Sequence, residues 1–392
     1  MRPPFSSSAQ HAHGPAFDPR QALVRHSAML SGTLGMALDS GNRVDLLPDG
    51  PAGHRAMSDA ISAARDHINL EGDLAAEQGP GHELARCLLH KRRQGVKVNL
   101  LTCDSGLPER LAEALRSAGV QIRRSTGPLR RLLVVDGKVA FTGSMHLPGP
   151  RRAGAAGRHW LARPTPWRDT PVRVEGPAVA RLQQLFMAHW VEQTGQQPYL
   201  SHFFPRLAAA GGMRAAVAVD ELDGAHMFYR ALLGALELAQ DRVCITSARF
   251  MPPRRLLQGL AQAARRGVAV KLLLPGISEG WATRQAGRSH YASLLKTGVR
   301  IFERQRTLLH AGTAVIDGLW AGVGSGHLDR HGLLHSADAR LIVLDAGLGA
   351  ELEGMFSDHL RHSREITLAC WRQRGVGERL LQALARPLAL WL

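Results

Sequence analysis

The amino-acid sequence predicts an α/β protein made of two homologous α/β/α sandwich units, related by a pseudo-two-fold and sharing one cleft. Three observations predict it. Short apolar, β-prone runs alternate with helically spaced apolar residues along most of the chain. The order of elements then recurs: QGVKV at 94–98 matches RGVAV at 266–270, and AGVQI at 118–122 matches TGVRI at 297–301. LVVDGKVAFTGSMHL at 133–147 matches AVIDGLWAGVGSGHL at 314–328, pairing Asp136 with Asp317 and Gly143 with Gly324. Finally, a segment rich in Gly, Pro and Ala over 194–214 separates the copies. Two copies at long period mean a duplicated domain and not a solenoid. Facing units would bring equivalent strand ends to one cleft, with Asp136 and Asp317 on its two sides.

Taken in order, residues 1–41 mix Pro, Ser, His and Gly, with one weakly helical patch, and are expected to be mostly disordered. A strand over 43–47 follows, closed by the turn Pro48-Asp49-Gly50. Spacing across Ala56, Ile61, Ala64 and Ile68 predicts a helix, followed by a strand at 68–70. Next come a helix over 83–94, a strand over 96–101, a helix over 108–117, and strands at 120–122, 132–135 and 139–141. An acidic-apolar helix closes each copy, at 179–190 and 348–360. The first domain is thus placed at 42–200 and the second at 214–392. The second ends in an amphipathic helix in which Leu380, Leu381, Leu384, Leu388 and Trp391 sit beside Arg379 and Arg386, suited to a membrane interface or to packing on the domain.

A length of 392 residues suits two domains. The formal charge of +16 points to phosphate-bearing partners, either lipid headgroups or nucleic acid. Aromatic residues at 5% leave few platforms for stacking bases, which weighs against nucleic acid. Cys87, Cys103, Cys244 and Cys370 are widely spaced and form no C-x-x-C pair, so reduced thiols are expected, with no disulfide frame or zinc site. His11 and His13 are too few for a metal tract, and no metal or cofactor is expected. The chain carries no bilayer-length apolar run and no signal-peptide pattern at its start. The expectation is a cytoplasmic protein, held peripherally on the cytosolic face of the inner membrane.

Two stretches carry the chemistry. LRRLLVVD at 129–136 precedes GSMH at 143–146, and HAGTAVID at 310–317 precedes GSGH at 324–327. This double pattern resembles the phospholipase D superfamily, marked by H-x-K-x-x-x-x-D and then G-[GS]-x-N in each domain. WRDT at 167–170, VEGP at 174–177, FMPP at 250–253 and the stretch over 275–295 are similar to cardiolipin synthases in particular. The resemblance covers residues 42–392. It implies metal-free phosphodiester exchange, in which one histidine attacks phosphorus while the other protonates the leaving alkoxide and activates the acceptor. Two lysines would neutralise the phosphoryl oxygens.

The chain departs from that pattern. Leu129 stands at the first histidine position and Arg131 at the first lysine position, whereas His310 keeps the second histidine and Gly312 replaces the second lysine. His146 and His327 replace the two asparagines, and His331-Gly332 replaces the Arg-Ser pair. The candidate catalytic residues are therefore His310, Asp317 and Asp136. Phosphate binding is assigned to Arg131, Ser144, His146, Ser325 and His327, with Asp169 and Asp338 as supporting acids. The basic runs 91–93, 123–124 and 130–131 are read as solvated ends of elements. The favoured reading is a pseudoenzyme of phosphatidyl transfer that binds anionic phospholipid, with an intact cardiolipin synthase paralogue as a further partner. One alternative is an active phosphodiesterase or transphosphatidylase using His310 with His146 or His327. Another is a nucleic-acid-binding relative of the superfamily's nucleases.

Overall fold

A computed structural model describes residues 17–378 except 49, 75–78, 105, 126, 146–166, 197–202, 220–225, 278–280, 325–327, 335–338 and 376. The first copy contributes strands β1 (Asp39–Leu46), β2 (His67–Glu71), β3 (Lys97–Thr102), β4 (Gln121–Arg124), β5 (Leu132–Val135), β6 (Val139–Gly143), β7 (Trp167–Arg168) and β8 (Pro171–Glu175). The second contributes β9 (Met213–Val219), β10 (Arg242–Ser247), β11 (Ala269–Pro275), β12 (Arg300–Arg304), β13 (Leu308–Leu309), β14 (Gly312–Ile316), β15 (Trp320–Gly324), β16 (Ala339–Leu344) and β17 (Ser363–Ile366).

Counting outward from the β1–β9 joint, the copies run β1-β8-β6-β5-β2-β3-β4 and β9-β16-β15-β14-β10-β11-β12, with β17 on the far edge. The duplication seen in the sequence is thus repeated strand for strand. Because β1 pairs with both β8 and β9, the two sheets are joined into one of 15 strands. Within each copy the β2-β3-β4 and β10-β11-β12 triplets are parallel, and helices such as Pro80–Arg93 and Arg254–Arg265 make the crossovers. The recurring Gly-Val pairs mark where those crossovers stop. Gly95, Gly119, Gly267 and Gly298 have φ between +88° and +93°, the turn out of a helix that a side chain resists.

Alternation along the motif strands distributes the core. Leu133 and Val135 of β5 pack in the first copy's own core, and Ala314 and Ile316 of β14 in the second's. Their neighbours Leu132, Val134 and Val315 turn the other way, into a core common to both copies, together with the closing helices Ala178–Thr194 and Ala346–Leu360. Cys244 is buried there, and burial pushes its thiol up to about 12.

The first 41 residues require a correction. Helix Pro19–Ser27 and the wide turn Ala28–Thr33 are formed, and Asp18 caps the helix through the Arg20 N–H. Leu30 and Met36 are buried in the second copy's core, so this leading segment serves the distant domain. Its partners lie some 200 residues away in sequence, out of reach of local pattern. Residues 1–16 and the expected helix over 379–392 lie outside the described residues. No helix among the described residues is long and apolar enough to cross a membrane.

Candidate active site

The two motif strands begin beside each other. Arg131, just before β5, places its Nη1 3.5 Å from Nε2 of His310, just before β14. The short strand β7 runs parallel to β13, pairing Trp167 with Leu308 and Arg168 with Leu309. That strap ties the segment after the first motif to the residue preceding His310 and leaves Asp169 next in line, buried at 4% exposure. The Oδ1 of Asp169 would lie 3.7 Å from a Cβ built on Gly50, at the start of helix Gly50–Ala63, and His54 is on the same spot. Ser144, at the end of β6, is buried and accepts the Thr170 N–H at 2.8 Å, so its oxygen braces the Asp169-Thr170 backbone. Arg131, His310, Asp169 and Ser144 are thereby gathered from four separated stretches. His146, Ser325, His327 and Asp338 lie outside the described residues.

Arg131 has φ +52°, in the left-handed region that costs a side-chain-bearing residue about 1–2 kcal/mol. A network missed at the sequence level holds the loop in front of it. Glu71 Oε1, at the end of β2, accepts the Arg130 N–H at 2.6 Å and lies 3.0 Å from His189 Nδ1. His189 Nε2 is in turn 3.0 Å from Ser125 Oγ, which accepts the Gly127 N–H at 3.1 Å. Glu71, His189 and Ser125 are all buried. Arg130 is buried too, donating to the Leu185 carbonyl at 2.8 Å, which corrects its reading as a solvated end. Leu185 and His189 are one helical turn apart, so one face of helix Ala178–Thr194 grips the whole loop. Each of these residues looks ordinary alone. The available signal was a glutamate closing a short strand, HINLE at 67–71, that alternates polar and apolar residues.

The two aspartates do not join the cleft residues. Asp136 follows β5, at the opposite end of the strand from Arg131, and accepts the N–H groups of Arg65, Asp66 and His67 at 2.9, 2.9 and 3.0 Å. Asp317 follows β14 and accepts those of Gln240, Asp241 and Arg242 at 3.0, 2.9 and 3.0 Å. Both stand in the left-handed region, at φ +52° and +54°. Each carboxylate staples its hairpin turn to the loop entering the antiparallel neighbour, β2 for Asp136 and β10 for Asp317. Their placement on either side of the cleft as catalytic acids is therefore corrected to that of paired staples at the far strand ends.

In chemical terms the described residues place the His310 imidazole and the Arg131 guanidinium within reach of a single oxyanion, with hydrocarbon at 129. Gly312, the second lysine position, lies opposite Ser247 in the β10–β14 ladder and brings no side chain.

Comparison with known proteins gives three findings. The family described as cardiolipin synthase, PLD-like domain, matches residues 232–360. Cardiolipin synthase A of Pseudomonas aeruginosa (strain UCBPP-PA14) is 32% identical over 342 residues, covering 83% of this chain and 68% of that protein. Cardiolipin synthase A of Salmonella newport (strain SL254) is 26% identical over 374 residues, covering 89% and 76%. Among solved structures, the phosphatidylserine synthase of Haemophilus influenzae Rd KW20 has a TM-score of 0.64 at 11% identity, covering 94% of this chain and 97% of that one. The polyphosphate kinase of Porphyromonas gingivalis has a TM-score of 0.53 at 13% identity, covering 100% and 59%. These two likenesses speak to the fold alone.

Proposed function

Because the chain belongs to the cardiolipin synthase family of the phospholipase D superfamily, with a role in phospholipid metabolism, we propose that it binds the phosphate of anionic phospholipids without transferring it. In-line displacement at phosphorus needs a nucleophile on one side of the phosphate and a proton donor on the other. His310 can hold or move a proton. Leu129 cannot attack, and removing the nucleophile of a concerted set lowers turnover by on the order of 10⁶-fold. Gly312 removes one of two charge-neutralising groups, a further loss of roughly 10²–10³-fold. What remains is suited to recognition. Arg131 keeps a full positive charge and a forked set of donors that matches two phosphate oxygens.

The observation that carries this reading is the approach of Arg131 to His310 across the two copies, 3.5 Å apart, with leucine at the nucleophile position. The partners it implies are an anionic phospholipid surface, met peripherally from the cytosolic side of the inner membrane, and an intact synthase on that surface. The charge of +16 supports the first partner, since exposed cations gain attraction to anionic leaflets that salt screens.

Two measurements test the proposal. Purified protein should sediment with phosphatidylglycerol vesicles, less so at high salt, and replacing Arg131 with alanine should weaken that binding. Phosphatidyl transfer by the same preparation should be undetectable. Turnover that disappears in a His310→Ala variant would overturn the non-catalytic reading, and its loss on changing His146 or His327 would assign relocated chemistry instead.

A further inference from the structure

A second cationic pocket lies in the second copy, beside the Arg131–His310 pair but separate from it. The ends of β10 and β11 and the helix Trp281–Arg288 border a small, half-open pocket, with Arg249, Arg284 and Arg288 in its wall beside Phe250, Leu274 and Tyr291. Its floor is tied to the motif, because the Ala248 N–H donates to the carbonyl of Ala311, the residue after His310.

The charges around the cavity do not balance. Glu303, 1% exposed, takes two contacts from Arg288, Nε at 2.9 Å and Nη2 at 3.3 Å, and one from the Tyr291 hydroxyl at 3.3 Å. Arg284 Nη2 and Arg364 Nη2 stand farther off the same carboxylate, at 3.7 and 3.8 Å. One buried carboxylate therefore faces three guanidinium groups. Arg249 approaches the buried Asp329 at 3.4 Å, and Glu378, half exposed, approaches Arg288 at 3.8 Å. Among the described residues these four guanidinium groups, Arg364 being the exposed one, outnumber the three carboxylates, and the most solvent-open acid does least to offset them. Arg284 is the least satisfied. Its Nε is buried with no hydrogen-bond partner among the described residues, and its closest carboxylate oxygen lies beyond hydrogen-bonding distance. Burial and then Arg288 hold its pKa below the ordinary arginine value, outweighing the attraction of Glu303.

We propose that this cavity is an oxyanion site that takes a phosphate monoester or diester group through Arg284, with Arg249 and Arg288 completing the clamp. Guanidinium forks suit phosphate oxygens, and a half-open pocket leaves any substituent of the phosphate on the solvent side. The site does not depend on the reading of the Arg131–His310 pair. A chain with both would hold two phosphate groups at once.

The test uses the full chain and three probes at fixed ionic strength: inorganic phosphate, glycerol 3-phosphate, and vesicles of phosphatidylglycerol against phosphatidylcholine. Arg284→Gln should weaken binding of at least one phosphate-bearing probe about tenfold or more. Arg361→Gln, which removes the same charge from a side chain that is 74% exposed, should change it little. Response to the soluble probes assigns a free phosphate or phosphate ester as the ligand. Response to phosphatidylglycerol vesicles alone assigns a lipid headgroup. Arg249→Gln, on the other wall, gives the same reading if Arg284→Gln fails to fold. Should the folded Arg284 or Arg249 variant bind every probe as the parent does, or the parent bind none, the site does not exist. Sensitivity to Arg131→Ala alone would leave the motif cleft as the sole phosphate site and overturn this one.

Discussion

Replacing Asp317 separates a staple from a catalytic acid. Its carboxylate is 2% exposed and accepts three backbone N–H groups at 2.9–3.0 Å. Hydrogen bonds to a charged group contribute about 1.5–3 kcal/mol each, but three sharing one carboxylate are not additive, so their joint loss should cost about 3–5 kcal/mol. Alanine adds a second penalty, because φ is +54° and the left-handed conformation costs it ~1–2 kcal/mol. Asp317→Ala should therefore destabilise by about 4–6 kcal/mol. Asn tolerates the left-handed region and keeps one acceptor oxygen, so Asp317→Asn should lose only about half as much. Urea unfolding followed by far-ultraviolet circular dichroism measures both, and the order parent, Asn, Ala in midpoint is the expected result. Phosphatidylglycerol binding by whatever folded fraction remains should be unchanged. An alanine variant that unfolds at the parent's urea concentration, or stays folded and loses lipid binding, would refute the staple.

Three further outcomes follow from the same geometry. Leu129→His alone should yield little phosphatidyl transfer, and Leu129→His with Gly312→Lys measurably more, because nucleophile and charge clamp come from opposite copies; a radiolabelled phosphatidylglycerol assay reads this, and a single repair equal to the double would contradict it. Glu71→Ala should destabilise by about 3 kcal/mol, since it strips a buried partner from His189 and from the Arg130 N–H, and chemical denaturation would expose an unaffected variant. His26 is fully buried with neither ring nitrogen hydrogen-bonded among the described residues, and burial outweighs the attraction of Asp317 to hold its pKa below the usual 6.5. The unfolded chain then binds the proton more readily, so stability should fall as pH drops from about 6.5 through the lower folded-state value, and His26→Leu should flatten that slope; an equal slope in parent and variant would assign the effect to other groups, His67 first among them.

Most of the fold was legible because its signals are local and appear twice. Runs such as LLVV at 132–135 are buried on both faces, so they read as continuous apolar strands, and each Gly-Val pair marks a helix stop that only a left-handed residue makes cheap. The leading helix was legible only as a weakly helical patch, because its few apolar residues are justified by a core in the other copy. The site was legible in parts. The motif positions of Arg131 and His310 could be read, and the repeat made their meeting plausible. The Glu71–His189 and Ser125–His189 contacts span 118 and 64 positions, and no spacing rule connects a strand end to a helix face at that range. Arg130 and Arg131 are adjacent and identical in type, yet one is spent on a carbonyl of helix Ala178–Thr194 while the other reaches His310. Only the direction of the backbone at φ +52° distinguishes them.

The departures from the family motif divide along the same line as the strand. In H-x-K-x-x-x-x-D the histidine precedes the strand, the lysine stands just before or at its first residue and the aspartate follows it, so one motif supplies chemistry at one end and a staple at the other. This chain has altered three of the four histidine and lysine positions and neither aspartate. The physical penalties differ accordingly. Losing a staple strips three buried backbone donors and threatens a fold whose margin is about 5–15 kcal/mol. Losing a nucleophile removes rate and leaves the β5 and β14 ladders intact, since Leu129 precedes the strand and Gly312 still takes its place opposite Ser247. Arg131 belongs with neither group. It keeps the charge of the lysine it replaces and does so in a strained conformation held by a buried Glu71–His189–Ser125 network. An inert remnant needs no such support. Strain maintained at a cationic residue beside the surviving histidine supports the proposal that this cleft binds phosphate.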